Sequence, residues 1–157
     1  MLVPSPRDVP SYDHKPQMSA REAATAFCDE INNGYAFGII NFANPDMVGH
    51  TGVIRAAVAA VETVDRCLNE VVSEVHRSGG ACMVTADHGN CDDMLEPNGS
   101  PNTAHSTNRV PLIVTVPGLA LEDGGILADV APTALALLGV EQPAEMTGRS
   151  LIGVSPA

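Results

Sequence analysis

The sequence contains no tryptophan, and tyrosine and phenylalanine together supply only 3% of its 157 residues. This shortage excludes a core organised around large aromatic side chains. Hydrophobic residues nevertheless make up 45% of the chain, so we expect a core of alanine, valine, isoleucine and leucine. The length suits one domain of ordinary size.

Basic residues are scarce as well, because the chain has a single lysine, Lys15, and 8 lysine and arginine residues in all against 19 acidic ones. The formal net charge is −11. No basic patch is available to neutralise phosphates, which argues against nucleic acid and anionic membrane surfaces as partners. A phosphorylated small molecule fits this charge only if metal ions or another part of the protein supply positive charge.

The four cysteines, Cys28, Cys67, Cys82 and Cys91, include no C-x-x-C pair. Cys82 lies in an apolar run and Cys67 in a helical pattern. We therefore expect free buried thiols rather than disulfides or a zinc cluster, and with them a reducing, cytoplasmic location. No segment resembles a signal peptide, and none has about 18 uninterrupted apolar residues, so no membrane span is predicted.

Apolar spacing and turn residues predict the elements of the chain. Four prolines within residues 1–18 predict an extended arm, and Ser19 with Glu22 forms a capping box that predicts a helix over 19–32. A stripe in steps of four and three predicts a long helix over 52–77, through Ala57, Val61, Val64, Leu68, Val71 and Val75. Strands are predicted over 35–42, 81–86 and 112–116, a loop over 89–109, a helix over 129–138 between Asp129 and Gly139, and a loop-like tail over 140–157.

This alternation of strands and helices predicts a layered α/β domain. Functional groups of parallel sheets collect beyond the carboxyl ends of the strands. Asp46 follows one predicted strand, and Asp87 and His88 follow the next. Their placement indicates a functional site at that edge.

Three stretches, 44–50, 85–90 and 104–108, contain metal-type ligands, namely Asp46, His50, Asp87, His88 and His105. Pro45 and Gly49 favour a tight loop that turns Asp46 and His50 towards one point. Asp87 and His88 are neighbours, which point to opposite faces of a regular strand, so they can share an ion only if the backbone bends at Gly89.

Five ligands exceed what one structural zinc ion takes from protein, and two neighbouring ions suit phosphoryl transfer. Aspartate with imidazole favours manganese, zinc or iron over calcium. Three of these residues have a simpler interpretation: Asp87 as a turn cap, His88 as a satisfied loop histidine, and His105 as a surface histidine. The run Asp92, Asp93 and Glu96 is typical of a solvated acidic surface, although Asp92 is close enough in sequence to orient His88 or another ligand.

These stretches and their flanks resemble the cofactor-independent phosphoglycerate mutases of the alkaline phosphatase superfamily. The similarity extends over nearly the whole chain, in segments 2–6, 12–20, 41–52, 85–90, 103–108 and 146–151. Small departures from the family pattern occur at His14, Gln17 and Arg109. The resemblance implies a three-layer, alkaline-phosphatase-like α/β domain with a mainly parallel sheet flanked by helices.

The resemblance also implies roles for the five ligands. Asp46, His50 and His105 match the ligands of one manganese ion, and Asp87 with His88 match two ligands of a second. In that family a serine attacks the phosphoryl group of 2- or 3-phosphoglycerate, and the phosphoserine returns the group to the other hydroxyl. The substrate expected for the parent protein is therefore phosphoglycerate.

The resemblance places the serine nucleophile, a further metal-binding aspartate and the arginine-rich substrate-binding domain upstream of this sequence. We therefore expect residues 1–157 to be the C-terminal portion of the metal-binding phosphatase domain, with no catalytic nucleophile and no mutase activity of their own. Uncovered apolar faces would favour self-association. Two alternatives stay open: a fragment of another phosphotransferase of the superfamily, such as a phosphopentomutase-like enzyme, and a stand-alone, non-catalytic metal-binding module.

Overall fold

A computed structural model describes residues 1–153 of the chain. Its helices are α1 (Ala20–Ile31), α2 (Asn44–Gly49), α3 (Ile54–Arg77) and α4 (Val130–Leu138), and its strands are β1 (Met83–Thr85) and β2 (Leu112–Val114). Short 3-10 turns occur at Tyr12–His14 and Leu127–Asp129. This mixture of helices and strands confirms the α/β class.

The core forms where α3 packs against α1 and α2. The apolar periodicity predicted both long helices, and their observed bounds differ from the predicted ones by two residues or fewer. The buried face of α3 is formed by Ala56, Ala57, Ala60, Cys67, Val71 and Val75. Val61, which the predicted stripe included, is 46% exposed and lines an open groove with Ile54 and Val58.

The start of α1 was predicted in the right place for the wrong reason. Ser19 makes no capping hydrogen bond from its side chain. Its hydroxyl instead donates to the carbonyl oxygen of Pro4 at 2.8 Å, so it ties the proline-rich arm to the helix. A capping box requires the serine oxygen to face the helix amides, and here that oxygen faces the arm.

The sheet differs from the prediction. Strands β1 and β2 are antiparallel, with Val84 opposite Ile113, so the expectation of a mainly parallel sheet is wrong for residues 1–153. The predicted strand over 35–42 does not form in the described chain either, and Ile39 within it is 80% exposed. Its aromatic and β-branched residues favour a strand, but a strand also needs a neighbour that pairs with its backbone groups.

Helix α4 and the segment after it are joined by buried polar groups. The predicted helix over 129–138 is confirmed, and Gly139 ends it with a left-handed φ of 67°. Asp129 accepts backbone hydrogen bonds from Ile126 and Arg149, while Thr133 bonds to the amide of Leu151. The tail up to residue 153 is irregular apart from an isolated bridge between Leu121 and Ile152, and its last four residues lie outside the described residues.

Two further sequence expectations concern thiols and membranes. All four cysteines are free, as predicted, although only Cys67 is fully buried and the other three are half-buried. Burial raises the pKa of all four thiols. Among the described residues, no helix combines the length and the apolar character that crossing a membrane requires.

Candidate metal centre

Helix α2 positions the first two candidate ligands. The sequence favoured a tight loop here, but residues Asn44–Gly49 form a six-residue helix with Pro45 in its first turn. Proline is well suited to that position, because its fixed φ matches a helix and its missing amide hydrogen would have no helical partner. Asp46 and His50 are four residues apart, so their side chains share one face.

Three ligand atoms from two distant parts of the chain converge at one point. The Asp46 Oδ1 atom lies 3.1 Å from His50 Nε2 and 3.1 Å from His105 Nε2. The two Nε2 atoms are themselves 3.1 Å apart. Among residues 1–153, these three form the group of acidic, histidine or cysteine side chains whose ligand atoms meet closely enough to hold one metal ion.

A backbone contact fixes the orientation of His50. Its Nδ1 atom lies 2.7 Å from the carbonyl oxygen of Thr103. A carbonyl can only accept, so Nδ1 carries a ring hydrogen, and in the neutral imidazole Nε2 is then the atom whose lone pair is available to a metal ion. Such contacts behind the ligand atom are typical of metal-binding histidines.

A second set of contacts holds the loop that carries His105. Ser106 donates its amide hydrogen to the carbonyl of Gly89 at 2.9 Å. Asp92 accepts from the hydroxyl of Ser106 at 2.8 Å and from the side-chain amide of Asn108 at 2.6 Å. The hydrogen bonds from Asn108 and Ser106 lower the pKa of Asp92. Asp92 is therefore more than part of a solvated acidic run, and its contacts are with the His105 loop rather than with His88.

His88 and Asp87 occupy different positions relative to the cluster. The His88 ring stacks on that of His105, with centroids 3.8 Å apart and an interplanar angle of 18°. Asp87 Oδ1 lies 3.7 Å from His88 Nε2, and the Asp87 side chain is 88% exposed. The structure thus brings His88 beside the three converging ligands, while Asp87 lies on the open side of the site.

Asn90 belongs to the site, although the sequence analysis gave it no role. Its Nδ2 atom donates to Asp46 Oδ1 at 2.9 Å, and it lies 3.4 Å from the Asp46 carbonyl oxygen. Asn90 is 5% exposed. Its position directly after Asp87, His88 and Gly89 was the only sequence feature that could have pointed to it.

The donor set fits a divalent transition metal. Ligand atoms at about 2.1 Å from a shared ion, with roughly 90–109° between them, are about 3.0–3.4 Å apart. The observed separations of 3.1 Å agree with this range. One carboxylate with two imidazoles suits such an ion better than calcium, which takes oxygen ligands.

The chain is similar to proteins of known family. The family model described as the metalloenzyme superfamily matches residues 1–142. A 2,3-bisphosphoglycerate-independent phosphoglycerate mutase of Syntrophotalea carbinolica is 52% identical over 97% of this chain, and one of Akkermansia muciniphila is 55% identical over 97%. The chain spans about 30% of the length of each of these curated relatives.

A solved structure supports the same relationship. The chain resembles the phosphoglycerate mutase of Leishmania mexicana, solved at low cobalt concentration, with a TM-score of 0.87 and 35% identity. The match covers 98% of this chain and 31% of that one. The predicted resemblance and the alkaline-phosphatase-like fold are confirmed by these similarities. Because the family model matches most of its length, the chain belongs to the metalloenzyme superfamily.

Proposed function

We propose that this chain is the C-terminal, metal-binding portion of a phosphoglycerate mutase. The parent protein would interconvert 3-phosphoglycerate and 2-phosphoglycerate through a phosphoserine intermediate. The observation that carries this proposal is the similarity, over nearly the whole chain, to relatives that bear that name. Because the chain spans less than a third of those relatives, the N-terminal portion of the phosphatase domain and the substrate-binding domain would be supplied by the rest of the parent.

Within this portion, Asp46, His50 and His105 would hold one divalent ion, and Asp87 with His88 would contribute to a second. Manganese is the ion we propose for both. When bound, the metals would supply positive charge that stabilises the transferring phosphoryl group and lowers the pKa of the attacking serine. The close approach of the three converging ligands supports the first set, and the stacking of His88 on His105 supports the nearness of the second.

The residues of this chain would bind and orient rather than act as nucleophile. Asp46 supplies negative charge to the site, and His50 is kept in the tautomer that leaves Nε2 free. The serine that carries the phosphoryl group would lie in the upstream part of the parent. The isolated chain would therefore have no mutase activity, and the parent would act in the cytoplasm.

Mutase activity of the full-length parent tests this proposal. Asp46→Ala or His50→Ala should abolish conversion of 3-phosphoglycerate to 2-phosphoglycerate, whereas His14→Ala, an exposed histidine outside the cluster, should leave it unchanged. Full activity of the Asp46→Ala and His50→Ala variants would contradict the assignment. Faster turnover of a phosphopentose than of phosphoglycerate would instead favour the phosphopentomutase-like alternative.

A further inference from the structure

We propose that Asn90 is a positioning residue that aims the Asp46 carboxylate at the two imidazoles, and that position 49 must be glycine so that Asn90 can reach it. This inference rests on the proposed metal centre. It gives Asn90 a role that the sequence did not indicate, and it gives Gly49 a packing role in place of the turn expected there. It is argued from the contacts between helix α2 and residues 90–91.

Asn90 contacts the same oxygen of Asp46 that faces the two imidazoles. Asn90 Nδ2 donates to Asp46 Oδ1 at 2.9 Å, and this same oxygen lies 3.1 Å from both His50 Nε2 and His105 Nε2. A carboxylate oxygen has two lone-pair directions. With one direction taken by the amide of Asn90, the other faces the imidazoles, where a metal ion would be bound.

The group that donates to the Asp46 carboxylate is a neutral amide. A lysine or arginine in place of Asn90 would compete with a metal ion for the negative charge of Asp46. A neutral amide donates a hydrogen bond without neutralising that charge, so it restrains the carboxylate rotamer and leaves its attraction for a cation. Partners of this kind behind a ligating carboxylate are a recurrent feature of metal sites.

Burying the Asn90 side chain leaves one of its polar atoms without a hydrogen-bond partner in the described chain. Asn90 is 5% exposed, and within the described chain its Oδ1 atom has no hydrogen-bond partner. A buried acceptor without a partner destabilises the fold. The hydrogen bonds of its Nδ2 atom to Asp46 are therefore what favours an asparagine at this position.

Gly49 lies directly against Asn90 and Cys91. A Cβ atom built on this residue would overlap Asn90 Oδ1, and it would lie 2.8 Å from Asn90 Cγ and 3.1 Å from Cys91 Sγ. Gly49 is not among the glycines with positive φ, so lack of space rather than backbone conformation requires glycine. The Cys91 thiol donates to the Pro45 carbonyl at 2.8 Å, which also holds residues 90–91 against α2.

The experiment uses the 157-residue chain and cobalt(II) as the probe. Visible absorption during cobalt titration gives the dissociation constant and reports the ligand geometry, and urea unfolding of the metal-free protein gives stability. The variants are Asn90→Ala, Gly49→Ala and the double variant. Asn44→Ala is the matched control. Asn44 is a buried asparagine of helix α2, and its side-chain amide donates to the carbonyls of Pro16 and Gln17 rather than to Asp46.

Asn90→Ala should weaken cobalt binding by about 10- to 100-fold and change the absorption bands, while Asn44→Ala should lower stability without changing the dissociation constant. Gly49→Ala should weaken binding similarly by displacing Asn90. Because Asn90→Ala removes the overlapping atoms, the double variant should bind no more weakly than Asn90→Ala alone.

If the wild type binds cobalt and Asn90→Ala binds it with the same dissociation constant, the positioning role is overturned and the proposed metal centre is retained. Additive losses in the double variant would overturn the link between Gly49 and Asn90. Failure of the wild-type chain to bind cobalt would overturn the proposed metal centre, and this inference with it.

Discussion

The position of His105 is restrained by hydrogen bonds that neighbouring residues of its loop make. It lies on an exposed loop between residues 101 and 109, and Asp92 holds this loop through Ser106 and Asn108. Asp92 does not touch the three converging ligand atoms. Its effect on metal binding would therefore be to restrict where the His105 imidazole can be.

Asp92→Asn should weaken metal binding by about 10-fold, as expected for a residue that supports a ligand. Both bonds to Ser106 and Asn108 end on the same oxygen, Asp92 Oδ2. A neutral amide oxygen in its place would accept them more weakly than a carboxylate does, so the loop would be held less firmly. Cobalt titration of the 157-residue chain measures the effect. Asp93→Asn removes the same charge next to it, and equal losses in the two variants would show that charge, rather than loop position, matters.

The pH dependence of stability should include a contribution from Asp129. Hydrogen bonds from the backbone amides of Arg149 and Ile126 lower its pKa in the folded chain. A carboxyl with a lowered folded pKa stabilises the fold above its unfolded pKa, about 3.9. That contribution is lost as the pH falls through the folded pKa.

Urea unfolding between about pH 5 and pH 2, a range that includes the unfolded pKa of about 3.9, is the measurement for this prediction. The unfolding free energy should fall less steeply with decreasing pH in Asp129→Asn than in the wild type. Asp123→Asn removes an equal charge from the neighbouring loop and serves as the control. The same slope in all three proteins would contradict a role for Asp129.

At the scale of elements, one buried hydroxyl contributes to holding the segment after α4. Thr133 is fully buried; its hydroxyl donates to the Asp129 carbonyl at 2.7 Å and accepts from the Leu151 amide at 3.0 Å. Thr133→Val keeps the size of the side chain but leaves the Leu151 amide without this partner. The unfolding free energy should fall by about 1–3 kcal/mol.

Thr133→Ser is the matched variant for that measurement, because it keeps the hydroxyl and loses only a methyl group. Urea unfolding should show the larger loss in Thr133→Val. A larger loss in Thr133→Ser would mean that packing of the methyl group, rather than the link between α4 and residue 151, provides the stability.

Three of the four helices and the places of β1 and β2 could be predicted from the sequence, whereas the short helix α2 and the antiparallel pairing of the strands could not. The spacing of apolar residues and the positions of turn residues are local properties of the sequence. They predict the bounds of α1, α3 and α4 to within two residues. Pairing is not local: residues 35–42 have a strand-like composition but no paired neighbour among the described residues. The role of Asn90 could not be predicted for the same reason, since it depends on the close approach of Gly49 from 41 positions earlier.

At the scale of the whole molecule, the described chain exposes many large apolar side chains, and two groups of them lie in segment 35–42 and along α3. Tyr35, Phe37 and Ile39 are 62%, 55% and 80% exposed, and Ile54, Val58 and Val61 line the groove beside α3. Soluble monomers rarely expose large contiguous apolar patches. We propose that the isolated chain associates with itself through the segment 35–42.

Sedimentation velocity over a range of concentrations tests this association. Ile39→Glu should weaken it at least about 10-fold, because burying an isoleucine side chain contributes about 1.5–3 kcal/mol. Ile126→Glu adds the same charge at another exposed isoleucine and should have little effect. A wild-type chain that sediments as a monomer at every concentration would rule the association out.

The contact between His50 and the carbonyl oxygen of Thr103 has a consequence for how the site tolerates change. Because the acceptor is a backbone atom, any residue at position 103 provides it, and a substitution there leaves the tautomer of His50 as it is. The path of the loop is what matters, and it is set in part by Asn102, whose side chain accepts the Ala104 amide hydrogen at 3.0 Å. The site should therefore be robust to point mutation at this position and sensitive to insertion or deletion of a single residue between Asn102 and His105.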